Sequence, residues 1–237
     1  MSHPEPRDPR RSRGSGASGD AAAPSRWWPW IALTLAAAVV AAAVLRSLTG
    51  AVYLVPSGSM EPGLVPGDRV RVDAAAQGGT GLAVGDVVVF EGGGSLAPYR
   101  STTALERGLE DVVAWWGLGG SGDVFVKRVV GLPGDSVECC SADGRLVRNG
   151  EPVDEPYLGR EVTAEDPASA TAFRFVVPEG RMVVLGDNRA VSRDSRALLG
   201  APGGGLIALD DVIGTAEEIV WPLGGRGAVS GAAASDG

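Results

Sequence analysis

The sequence predicts a mainly β protein: one N-terminal transmembrane helix, then a core of antiparallel sheets broken by a β-rich insertion. Three observations carry this. Residues 27–45 hold no charged side chain. The dipeptide Gly-Asp recurs five times, at 67–68, 85–86, 122–123, 134–135 and 186–187, and four of the five open directly into a β-type run. Glycine is abundant, at 36 of 237 residues, and aromatics make up only 5%, a composition of short strands and many turns rather than of a helical bundle.

Residues 1–26 are rich in Pro, Arg, Ser and Gly and are expected to be a disordered tail. The apolar run 27–46 follows as the expected transmembrane helix. Its nineteen uncharged residues, 27–45, give about 28 Å at 1.5 Å per residue, close to the hydrocarbon thickness of a bilayer. Trp27, Trp28 and Trp30 suit one interface. Arg10, Arg11, Arg13 and Arg26 precede the run and only Arg46 follows closely, so the positive-inside bias keeps the N-terminus in the cytoplasm and places the rest outside. A cleaved secretory signal is the competing reading. Its apolar region is usually about 7–15 residues, shorter than this one, although Ala41-Ala42-Ala43 offers small residues at its end.

Beyond the run, glycine supplies positive φ and aspartate bonds its own backbone, so Gly-Asp reads as a turn and then a strand. This places strands at 69–72, 87–90, 124–130 and 136–138, with others at 52–55, 146–148, 173–177, 182–185 and 212–221. Residues 51–137 and 176–222 are read as the core. Residues 138–175, with the hairpin signals Asp143-Gly144 and Asn149-Gly150, are read as the insertion. Leu105, Leu109, Val112, Val113 and Trp116 recur at helical spacing, either as a helix packed on the sheet or as a membrane-touching one. Residues 223–237 are Gly/Ala/Ser-rich and are expected to be a disordered tail.

The charge is uneven: +2 over residues 1–26, +1 at Arg46 and −11 over 51–237, for a total of −8. An acidic main domain excludes nucleic acid as the expected partner, since phosphate binding requires clustered Lys and Arg. Cys139 and Cys140 are adjacent and cannot supply a four-ligand zinc site. Two free thiols are the favoured reading, and a bridge between neighbours the strained alternative.

One compositional fact points to chemistry. The chain has 20 arginines and a single lysine, Lys127, in the apolar run Val124-Phe125-Val126-Lys127-Arg128-Val129-Val130. Arginine-rich codon usage explains the missing lysines but not why one stays. Lysine can act as a neutral base and arginine effectively cannot. A tight turn, Pro56-Ser57-Gly58-Ser59-Met60-Glu61-Pro62, can present a hydroxyl together with a backbone N–H. A serine needs a base to attack a carbonyl, and the only histidine, His3, lies in the tail before the apolar run. Burial among Phe125, Val126, Val129 and Val130 would lower the lysine pKa from about 10.4 into a working range. A Ser–Lys pair is a recognised variant of triad chemistry.

With these residues the chain resembles bacterial type I signal peptidases, membrane-bound serine proteases that remove signal peptides from exported proteins. Four blocks carry the resemblance: Pro-Ser-Gly-Ser-Met-Glu-Pro-Gly-Leu at 56–64 with Gly67-Asp68; Gly-Asp-Val-Val-Val-Phe at 85–90; Val-Lys-Arg-Val-Val-Gly-Leu-Pro-Gly-Asp at 126–135; and Gly-Asp-Asn-Arg-Ala-Val-Ser-Arg-Asp-Ser-Arg at 186–196. The closing 210–216 and Trp221-Pro222 also fit. The resemblance implies a signal-peptidase-like fold, with Ser59 as nucleophile and Lys127 as general base. It implies an oxyanion hole from the Ser59 N–H and the Ser57 hydroxyl, and an orienting bond from Ser192 to the Lys127 amine. Asp194 and Arg196 would form a supporting ion pair, with Asp187 and Asn188 of the same block also in support. Val55, Met60, Leu64, Val70 and Val126 would line shallow pockets for an Ala-X-Ala substrate bound as an added strand. The implied partners are secretory preproteins and the phospholipid membrane, for a single-pass monomer of the plasma membrane with no cofactor and no metal. Many relatives carry Asp-Asn where this chain has Ala190-Val191, which removes polar groups near the site.

Other classes fit less well. A self-cleaving regulator on a similar β fold usually carries a DNA-binding helical domain, and nothing here resembles one. Penicillin-binding enzymes pair Ser and Lys three residues apart, whereas these two are 68 apart with no Lys-Thr-Gly. An anchored β domain that binds secreted proteins without cutting them is the non-enzymatic reading.

Overall fold

The computed structural model of the chain describes residues 27–49, 51–92, 96, 108, 124–200 and 203–229. The expected tail 1–26, most of the amphipathic segment 105–116 and residues 230–237 lie outside the described residues.

Trp28–Thr49 form a helix, α1, of 22 residues. Its side chains are described as far as residue 42, and that part measures about 22 Å at 1.5 Å per residue. Among the described residues no helix is long and apolar enough to cross a membrane. Trp27, Trp28 and Trp30 are all exposed.

The rest is β. The strands are β1 (Ala51–Leu54), β2 (Arg69–Asp73), β3 (Val87–Glu91), β4 (Val124–Gly131), β5 (Ser136–Cys139), β6 (Leu146–Arg148), β7 (Glu151–Pro152), β8 (Phe173–Val176), β9 (Arg181–Leu185), β10 (Ile207–Ala208), β11 (Val212–Trp221) and β12 (Gly227–Ala228). One sheet runs β1-β2-β11-β3-β4-β9-β10 with β12 on β11, and a four-stranded sheet runs β7-β6-β5-β8. Every pairing is antiparallel.

The Gly-Asp turns work as a repeated device. Gly67, Gly85 and Gly134 sit at φ 98°, 103° and 90°, a region that admits glycine without steric cost. The carboxylate that follows each accepts the N–H three residues back: Val65 to Asp68 at 2.9 Å, Ala83 to Asp86 at 2.8 Å and Leu132 to Asp135 at 2.9 Å. Each turn therefore closes on its own side chain and delivers the chain into a strand.

Strand β4 is the centre. Val126 packs into a cluster with Val55, Met60, Leu64 and Val70. Val129 joins Val88, Phe90 and Val184, and Val130 joins Val137, Phe175 and Leu185 beneath the smaller sheet. A strand feeding three clusters has almost no polar surface, and this sets the environment of Lys127.

Two expectations are corrected here. Cys139 and Cys140 are joined as a vicinal disulfide rather than left as free thiols. The chain beyond Trp221 is ordered through residue 229: Leu223–Gly225 form a 3-10 turn, β12 pairs β11 at Glu218 and Ile219, and Val229 is buried in the cluster around Val55.

Candidate active site

Gly58–Met60 form a single 3-10 turn directly after Ser57, whose backbone is extended. A tight turn sends successive side chains to different faces. Met60 goes into the core at 1% exposure, and Ser59 is 8% exposed. From the other side β4 brings Lys127, 3% exposed, held in register opposite Val88 of β3. Lys127 Nζ lies 2.6 Å from Ser59 Oγ and donates to the Val126 carbonyl at 2.9 Å. Ser57 Oγ donates to Ser59 Oγ at 3.2 Å.

Burial lowers the Lys127 pKa from 10.5 to about 8, because an ammonium loses its hydration among valines. The carboxylates of Asp194 and Asp187 pull the other way and keep the shift from being larger. A neutral amine at 2.6 Å from a hydroxyl can accept its proton through the nitrogen lone pair while an N–H remains on Val126 O. That is the geometry of a general base and a nucleophile.

Around this pair lies a buried ionic frame. Arg128, 1% exposed, bonds Asp187 through two nitrogens at 2.8 and 2.6 Å and donates to the Gly85 carbonyl at 2.7 Å. Its guanidinium stacks 3.9 Å over the Tyr157 ring. The Tyr157 hydroxyl donates to Glu155 at 2.6 Å, and Glu155 pairs with Arg189. Arg196 pairs with Asp194 at 2.8 Å and donates to the Arg189 carbonyl at 3.0 Å. Asp194 accepts the Gly186 N–H at 3.0 Å, and the Asn188 N–H donates to the Ser59 carbonyl at 3.1 Å. Burial raises the Asp187 carboxyl above its usual range despite Arg128. At Asp194, burial is outweighed by Arg196 and the Gly186 N–H, so that carboxyl is held low.

The structure thus brings Ser57, Ser59, Lys127, Asp187, Asn188, Asp194 and Arg196 together. It does not join Ser192 to Lys127. Ser192 Oγ is buried and makes no well-formed hydrogen bond, though it lies close enough to Asp194 to help hold that carboxyl low. Val55, Met60, Leu64, Val70 and Val126 are brought together as well, but as one packed cluster and not as an open pocket. Among the described residues no His, Cys, Asp and Glu side chains group to hold a metal ion.

Sequence reasoning missed four members of the frame: Arg128, Glu155, Tyr157 and Arg189. Arg128 carried a signal, since an arginine inside an apolar strand demands a buried counter-charge. Glu155 and Tyr157 come from the insertion and carried none.

The profile of the family described as signal peptidase, peptidase S26, matches residues 27–221. The chain is 35% identical to a probable signal peptidase I of Mycobacterium leprae, over 79% of this chain and 75% of that one. It is 32% identical to signal peptidase IB of Staphylococcus aureus, over 82% of this chain and 89% of that one. A crystal structure of signal peptidase I from Enterococcus faecalis, 27% identical, covers 56% of this chain and 95% of its own with a TM-score of 0.38. The chain belongs to the signal peptidase family, peptidase S26, and is a serine endopeptidase.

Proposed function

We propose that this enzyme is a membrane-anchored peptidase that removes signal peptides after small residues, in an Ala-X-Ala pattern, with Ser59 as nucleophile and Lys127 as general base. The observation that carries the chemistry is the 2.6 Å approach of Lys127 Nζ to Ser59 Oγ in a buried site. Lys127 takes the hydroxyl proton as Ser59 Oγ bonds to the substrate carbonyl carbon. The carbonyl oxygen becomes negative and is held by the Ser59 N–H and the Ser57 hydroxyl, donors each typically worth about 10²–10³ in rate. The ammonium of Lys127 then protonates the departing amine, which leaves an ester on Ser59. Water attacks that ester with Lys127 again as base and frees the signal peptide.

The charge pattern supports the anchor: an uncharged run preceded by four nearby arginines and followed by one fits a helix with its N-terminus in the cytoplasm and the catalytic domain outside. The substrate is a preprotein, and the enzyme acts as a monomer at the membrane surface. The buried cluster around Val55 and Val126 supports the narrow specificity, since valine, leucine and methionine packed without an open pocket leave no room for a large side chain.

The test is to incubate the purified protein in lipid vesicles with a preprotein and locate the cut by mass spectrometry. A single cut after a small residue, lost in Ser59→Ala, is expected. Binding without a cut at any pH would favour the non-enzymatic reading.

A further inference from the structure

A cavity of about 540 Å³ opens beside the nucleophile turn, within the size range of small-ligand sites. One wall is Glu61 and Pro62 of the turn itself, and the floor includes Asn188, whose N–H holds the Ser59 carbonyl. The opposite wall comes from the smaller-sheet segment, including Gly159, Arg160 and Asp166. The two walls touch, since a Cβ at Gly159 would come within 2.6 Å of the Pro62 ring. None of the five residues assigned to the alanine-selecting surface lines this space. Met60 points into the core while its neighbour Glu61 lines the cavity, so the turn divides the two. If the apolar cluster underlies the residues before the scissile bond, the cavity is left for those after it.

The charges in the cavity are accounted for with one exception. Asp187 is paired with Arg128, Arg189 with Glu155, and Arg160 with Asp166 at 2.7 Å. Among the described residues Glu61 has no ion pair and no side-chain hydrogen bond. Its carboxylate lies over Gly58, where a Cβ would meet Oε1 at 2.7 Å, one residue from the Ser59 N–H proposed to hold the oxyanion. A bare negative charge in that place would repel the charge that develops on the substrate carbonyl. A cation seated against it removes that repulsion.

A lysine near the new N-terminus would bring such a cation in with the substrate, and the reaction supplies another once the C–N bond has broken, in time for the oxyanion that forms when water attacks the ester. The departing group is an amine that leaves as the new N-terminus of the mature chain, and an α-amino group has a pKa of about 7.7–8.0. We propose that Glu61 and this cavity form a leaving-side subsite for a primary ammonium on the first residues of the released chain, either its new α-ammonium or a lysine side chain there. The proposal rests on the peptidase reading above.

The experiment measures inhibition of preprotein cleavage, and calorimetric binding, with three pentapeptides: one with a free N-terminus and neutral side chains, its N-acetylated form, and the acetylated form with lysine at its second position. The wild-type full chain in lipid is expected to bind the free-amine peptide about fivefold more tightly than the acetylated one, the scale of a partly exposed ion pair. Recovery of binding by the lysine peptide assigns the side chain as a source. Failure of the lysine peptide with success of the free amine assigns the α-ammonium alone. Glu61→Gln should erase the difference between free and acetylated peptides, and Glu61→Lys should reverse it. Equal binding of the free-amine peptide and both acetylated peptides to wild type, which needs no variant, would overturn the proposal. So would an unchanged ratio in Glu61→Gln. If no preprotein is cut, the peptidase reading fails, and the calorimetric ratios still decide the subsite.

Discussion

Lys127 Nζ stands 2.6 Å from Ser59 Oγ although the two residues are 68 positions apart, and among the described residues neither has an alternative acid–base partner. The only histidine of the chain is His3. The single lysine therefore sits where the proposed nucleophile would need a base, in surroundings that lower its pKa to about 8.

A buried amine kept partly neutral costs stability. The folded pKa, about 8, lies below the ordinary 10.5, so the unfolded chain binds more protons between those values and stability rises with pH across that window. Below pH 8 the cost is fully present, at about 3 kcal/mol for that span of pH. Lys127→Met is expected to be inactive and yet more stable than wild type at pH 7, by on the order of 1–3 kcal/mol. The gap should close as pH rises from 8 toward 10.5, read by urea denaturation at pH 7 and pH 10. A gap that does not change with pH would contradict the assignment of its cause.

Ser57 Oγ lies 3.2 Å from Ser59 Oγ and is the oxyanion donor proposed above. Ser57→Ala is expected to lower kcat by about 10²–10³ with little change in KM, the signature of a contact made in the transition state. Steady-state kinetics on a preprotein substrate checks it. A raised KM at unchanged kcat would instead assign Ser57 to substrate binding.

Gly186 has no room for a side chain. A Cβ there would collide with Ser192 Oγ and come within 2.5 Å of the Ser59 carbonyl oxygen. Gly186→Ala is expected to shift the nucleophile turn and cut kcat by about 10²-fold, since a displacement of about 1 Å suffices for such a loss. Circular dichroism should show the β fold retained.

Arg128 and Asp187 are both 1% exposed at the side chain. Removing one partner leaves a buried charge alone, which costs about 3–5 kcal/mol. Arg128→Leu and Asp187→Leu should each lose about that much in chemical denaturation. The double variant should recover part of it, because no lone charge then remains. Additive losses would show that the pair is not the source.

The strands that follow Gly67-Asp68, Gly85-Asp86 and Gly134-Asp135 were legible because each of these three turns carries its own closing bond. The approach of Lys127 to Ser59 was legible because a serine read as a nucleophile leaves few substitutes for its base. Gly186-Asp187 looks like the same turn but serves the site: Asp187 pairs with Arg128 in place of a local N–H. The contributions of Glu155 and Tyr157 were not legible. They depend on the turn at 155–157 reaching Arg128 of β4 and Arg189, and no periodicity in residues 138–175 encodes those contacts. The bond expected from Ser192 to Lys127 is replaced by one to the Val126 carbonyl, a partner that any residue at that position would supply. Short strands such as Ile207–Ala208 and Gly227–Ala228 carry too few residues for an alternating pattern.

The most direct test of the Ser59–Lys127 assignment is kcat/KM for preprotein cleavage measured from pH 5 to pH 10. A neutral-lysine base with a pKa of about 8 predicts a rise of about tenfold per pH unit below 8 that levels off above it. A profile that is flat from pH 6 to pH 9, or that bends near about 6.5 where a histidine would titrate, would contradict Lys127 as the general base.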